Sequence, residues 1–77
     1  MKFKLNHTWN CEVELVDILT PGKKPDGVKV DEYLGSKALQ SFRKGLFKET
    51  QLVFKLPSGA YVVIPDTPGN AWLWSIL

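Results

Sequence analysis

The chain has 77 residues, a formal net charge of +2, and a composition that is 44% apolar, 12% aromatic and 23% charged. Those values exclude disorder and leave room for one domain, whose thin core buries about two-thirds of the unfolded surface. A charge of +2 is too small to imply nucleic acid by itself, so the placement of charge matters more than its sum.

Residues 2–7 alternate, with Phe3, Leu5 and His7 on one side and Lys2, Lys4 and Asn6 on the other. This is the pattern of a half-buried strand. Residues 11–15 alternate as well, with Cys11, Val13 and Leu15 against Glu12 and Glu14. The short link from Asn6 to Asn10 predicts a hairpin. If Phe3 faces Val13, then Lys4 faces Glu12 and Lys2 faces Glu14, so opposite charges meet across the solvent face. At Val16 the alternation breaks, which predicts a bulge or an end covered on both sides.

Thr20-Pro21-Gly22 turns the chain, and Pro25-Asp26-Gly27 is a second turn signal. Pro57-Ser58-Gly59 repeats it, and the pattern Lys-x-Pro-x-Gly-x-x-Val runs from Lys23 to Val30 and from Lys55 to Val62. Two turns of one type explain the match better than a duplication, because the flanks differ. A short strand is expected before the helix. Residues 31–46 carry the helical pattern, with Leu34, Ala38, Leu39, Phe42 and Leu46 on one stripe. Asp31 or Ser36 suits the N-cap and Gly45 the C-terminal cap.

Residues 51–56 and 60–64 are the strongest predicted strands. A bulge at Gly59 pairs Leu56 with Ala60, Phe54 with Val62 and Leu52 with Ile64, all apolar. The opposite face, with Val53, Lys55, Tyr61 and Val63, is largely apolar too. It would be hidden in part if the hairpin folds over it or the sheet curls toward a barrel. Residues 65–70 form a loop, in which Asp66 is read as a turn cap. Residues 71–77 are expected to return as a third antiparallel strand, with Trp72, Trp74 and Ile76 on one face. Their two tryptophans and three large aliphatic residues must be covered by the domain, a second copy or a partner.

Motifs for chemistry are absent. Cys11 is the one cysteine, so no intramolecular disulfide forms, and a reducing, cytoplasmic setting is expected. No apolar run has the length of a signal peptide or a membrane span, so no membrane association is expected. Asn6-His7-Thr8 fits a glycosylation sequon by chance. His7 and Cys11 lack the third group and oxyanion donors of a nucleophilic site, and metal binding would need further ligands. Glu12 and Glu14 are better read as partners of Lys2 and Lys4 than as an acid–base pair. No phosphate-binding glycine loop is present. Catalysis and cofactors are therefore not expected.

The expected fold is α+β: a mostly antiparallel sheet of about five strands, in the order β-β-(β)-α-β-β-β, with one helix on one face. The expected function is a small protein-binding module such as an inhibitor, an adaptor or a small assembly subunit. Free-standing chains of this kind are common in phages and mobile elements. Its contact residues would be Trp9, Tyr61, Trp72 and Trp74, since large aromatic rings anchor interfaces. A homodimer is a further form of the same reading. The alternative is nucleic-acid binding by a basic helix face of Lys37, Arg43, Lys44 and Lys48, helped by a stacking aromatic ring.

Overall fold

The computed structural model describes residues 2–6, 9–21, 27–35, 40, 42–44 and 46–77. Among them, the strands are β1 (Lys2–Leu5), β2 (Cys11–Leu19), β3 (Gln51–Lys55), β4 (Tyr61–Pro65) and β5 (Trp74–Ile76). Helix α1 spans Gly27–Tyr33, and a 3-10 helix spans Pro68–Leu73. The strands form one antiparallel α+β sheet in the order β4-β3-β2-β1-β5.

The N-terminal hairpin has the expected register: Phe3 lies opposite Val13, Lys4 opposite Glu12 and Lys2 opposite Glu14. Asn10 closes it at φ 37, a left-handed backbone that asparagine tolerates better than most residues. The second hairpin also pairs as expected, with Phe54 opposite Val62 and Leu52 opposite Ile64. The Leu56 amide donates to the Ala60 carbonyl at 2.8 Å, and Gly59 takes φ 89, which a side chain would strain.

The break in alternation at Val16 is a bulge. The register of β2 against β3 shifts between Leu15 and Asp17, so Leu15 faces Phe54 while Asp17 faces Val53. The first half of β2 pairs with β1 and the second half with β3. Bulges let one long strand bend from one sheet layer into another. The bend is visible in the core. Phe3 and Phe54 sit two strands apart, which is about 10 Å in a flat sheet, yet their ring centroids are 5.6 Å apart. Trp74 and Phe54 are three strands apart, and their rings are 6.4 Å apart. The sheet therefore curls over its inner face.

That inner face holds the first core: Phe3, Leu5, Val13, Leu52, Phe54 and Ile64, with Cys11, Leu15, Leu56, Val62, Leu73 and Trp74 packed around them. The second core lies on the opposite face and consists of Leu19, Val30, Phe42 and Val53, with Val16, Tyr33, Leu34, Phe47, Tyr61 and Val63 around them. Burying each large apolar side chain is worth about 1.5–3 kcal/mol. These two clusters outweigh the exposed Arg43–Asp31 ion pair at 2.7 Å, which is worth about 0–1 kcal/mol.

Several expectations change. Among the described residues no short strand precedes the helix, and Gly27–Tyr33 is already helical. Val30, Tyr33 and Leu34 follow i, i+3, i+4 spacing and all reach the second core, which outweighs the β preference of valine. The helix thus begins before Asp31, so Asp31 is no cap and instead bonds Arg43. Helical backbone recurs at Gln40, Phe42 and Arg43, and Ser36, Ala38, Leu39 and Gly45 lie outside the described residues. Leu46 is exposed, and Phe47 fills its expected place by stacking on Phe42 at 4.3 Å.

A further change concerns the segment 71–77. Its first residues belong to the 3-10 helix, and only Trp74–Ile76 is strand. That strand pairs with β1 rather than returning along β4. Pro68 near the start of the 3-10 helix favours this turn, which carries the chain from one sheet edge to the other. Trp72 consequently does not share a strand face with Trp74 and Ile76. Asp66 also departs from its expected role. Thr67 occupies the N-cap with no side-chain cap, while the Asp66 amide donates to the Thr50 carbonyl.

Candidate functional site

The β1–β2 connection and the junction between the 3-10 helix and β5 meet at one end of the sheet. Asn6 joins them. Its backbone amide donates to the Leu73 carbonyl at 2.8 Å, and its side-chain amide donates to the Trp72 carbonyl at 2.8 Å. The same side chain reaches the Ser75 hydroxyl at 3.3 Å. Trp9 follows Asn6 by three residues, so at full extension its Cα lies within about 11 Å of it. Trp9 is 36% exposed and Trp72 is 56% exposed. Both residues therefore lie at this end of the sheet, Trp72 tied to Asn6 through its backbone carbonyl.

Below this end of the sheet runs the free edge of β5. Leu5 lies opposite Trp74, Lys4 opposite Ser75 and Phe3 opposite Ile76. Ile76 is 64% exposed and Leu77 is 58% exposed. No charged residue occurs from Thr67 to Leu77. Unpaired strand edges are normally guarded by charge, proline or a bulge. The β4 edge is guarded, since Pro65 has no N–H and its carbonyl accepts the Asn70 side-chain amide at 3.1 Å. Among the described residues no charge, proline or bulge guards the β5 edge.

The four expected contact aromatics separate. Trp9 and Trp72 are exposed at the same end of the sheet. Trp74 is half-buried and packs edge-on against Phe3 at 5.9 Å. Its Nε1 is buried with no hydrogen-bond partner among the described residues. Tyr61 is half-buried in the second core, 4.7 Å from the Tyr33 ring, with the Lys55 ammonium 5.8 Å from its centroid. Sequence reasoning did not single out Asn6 as the bridge, nor Ile76 and Leu77 as exposed. The signal for the last two was the charge-free run that contains them.

Of the four basic residues expected on one helix face, three are described. Arg43 is bonded to Asp31, Lys44 and Lys48 are exposed, and Lys37 lies outside the described residues. Cys11 is half-buried against the first core, and His7 lies outside the described residues. Among the described residues no group of three or more His, Cys, Asp or Glu is placed to hold a metal. An open depression of about 270 Å³ is lined by Lys2, Glu12, Val13, Glu14 and Pro57. It holds the cross-strand charges of the first hairpin. No helix among those residues is long and apolar enough to cross a membrane.

No protein-family model, curated protein or solved structure matches the chain.

Proposed function

We propose that the chain is a small non-catalytic module that docks on a larger protein through the Trp9–Trp72 rim. The observation that supports this is the pair of exposed tryptophans at one end of the sheet, where Asn6 holds the Trp72 backbone. Tryptophan combines a large apolar area with few rotatable bonds, so it recurs at the centres of protein interfaces. Such a module acts by occlusion or by bridging, as an inhibitor, an adaptor or an assembly subunit.

The test is capture of a partner from a lysate of the source organism, with and without nuclease and at two salt concentrations. A stoichiometric protein band that survives both treatments is expected. Trp9→Ala and Trp72→Ala should each weaken it by about 2 kcal/mol, or about thirtyfold in Kd, while circular dichroism stays unchanged. Recovery of nucleic acid that is lost with salt and with Lys44→Glu would overturn the reading in favour of a basic surface.

A further inference from the structure

We propose that residues 67–77 form a strap that swings off β1 as one unit while β1–β4 and α1 stay folded, uncovering the Phe3 and Leu5 side of the first core. The distribution of burial supports this. Among the described residues, the buried members of the first core all come from β1 to β4: Phe3, Leu5, Val13, Leu52, Phe54 and Ile64. None comes from 67–77, where neither the 3-10 helix nor β5 has a buried residue. The strap adds Leu73 and Trp74, both half-buried. Among the described residues, the second core on the other face takes no residue from the strap.

The bonds that hold the strap lie along one line. At one end the Asn6 amide donates to the Leu73 carbonyl, and at the other the Leu77 amide donates to the Lys2 carbonyl. The Asn6 side chain also donates to the Trp72 carbonyl and the Ser75 hydroxyl. Trp74 sits between the two ends and carries the ring packing, on Phe3 at 5.9 Å and on Phe54 at 6.4 Å. Withdrawing that ring therefore loosens both ends together.

Two features favour opening. Trp74 Nε1 is buried with no hydrogen-bond partner among the described residues, so the closed strap leaves a donor unpaired that water satisfies in the open one. A hinge is also in place. The Asp66 amide donates to the Thr50 carbonyl at 2.7 Å, which pins the chain just before the strap beside the start of β3. Thr67 then takes an extended backbone and makes no side-chain cap to the 3-10 helix. Segments with little buried apolar surface open locally at a smaller free energy than the whole domain needs. The inference does not rest on docking at Trp9 and Trp72, because it concerns the isolated chain.

The experiment is native-state amide hydrogen exchange of the full chain, read by nuclear magnetic resonance over a series of sub-denaturing urea concentrations. The Asn6 and Leu77 amides report the two ends of the strap, and the Val53 and Phe54 amides report β3, which is paired on both sides. Asn6 and Leu77 should share one protection factor, about tenfold or more below that of Val53 and Phe54, with a shallower fall in urea. Val30→Ala weakens the second core, which the open form keeps. It should therefore lower protection at Val53 and Phe54 by a larger factor than at Asn6 and Leu77, narrowing the gap. One protection factor and one slope for all four amides in the parent overturns the proposal. So does a Leu77 amide that exchanges apart from Asn6, since that is fraying of the last residues alone. A Val30→Ala effect of equal factor at all four amides overturns it as well, and if that variant does not fold the parent series decides.

Discussion

Trp74 shows why a residue type alone does not assign a role. Its sequence position beside Trp72 suggested a shared surface, but one stands at the rim and the other closes the first core against Phe3 and Phe54. Trp74→Ala should cost about 3 kcal/mol or more, enough to unfold much of a chain this small. Trp74→Phe keeps an aromatic ring and removes the unpartnered Nε1 donor, so it should cost no more than about 1 kcal/mol. Chemical denaturation of both variants checks this. Equal losses would show that the indole nitrogen has found a partner worth as much as the ring's packing. Lone residues such as Asn6 escape sequence reading because their value lies in partners distant along the chain. Its link to Trp72 spans 66 positions.

At the scale of elements, both hairpins were legible because strand alternation and turn chemistry are local. Lys4 against Glu12 and Phe54 against Val62 follow from counting outward from each turn. The helix was half legible. The stripe was read from Leu34 onward, although Val30 and Tyr33 already continue it backward into the second core. Valines after a Pro-Asp-Gly turn look like strand, and only the curled sheet beneath them shows that one face needed a helical cover. The bulge in β2 is the element on which the curl depends. Deleting Val16 would leave Leu15 and Asp17 in their present pairings but remove both the bend and one contact of the second core. The expected outcome is loss of the cooperative thermal transition, read by near-ultraviolet circular dichroism. A sharp transition near the parent temperature would show that the curl arises elsewhere.

At the scale of the molecule, the sequence reading recovered an antiparallel α+β sheet but not which strands form its edges. Residues 71–77 are equally apolar whether they line β4 or β1, so composition does not choose between the two. The choice is made by the 3-10 helix at Pro68–Leu73 and by the hydrogen bonds of Asn6, both of which require the tertiary structure. The candidate rim was legible only as separate tryptophans. Its unity depends on β5 lying beside β1.

The pairing of the first strand with the last also sets the order in which the chain becomes native. The hairpin of β3 and β4 and that of β1 and β2 close over short loops, whereas β5 must find β1 across nearly the whole chain. Contacts of such long sequence separation are entropically late, and sheets rich in them fold in milliseconds to seconds rather than microseconds. Trp72 and Trp74 travel with that final strand. Refolding followed by tryptophan fluorescence should therefore show its main change in this slow range, and a complete signal within microseconds would contradict it. Until that step, the side of β1 that β5 later covers is itself an open edge, so the unfinished chain carries an unpaired strand that the finished sheet closes.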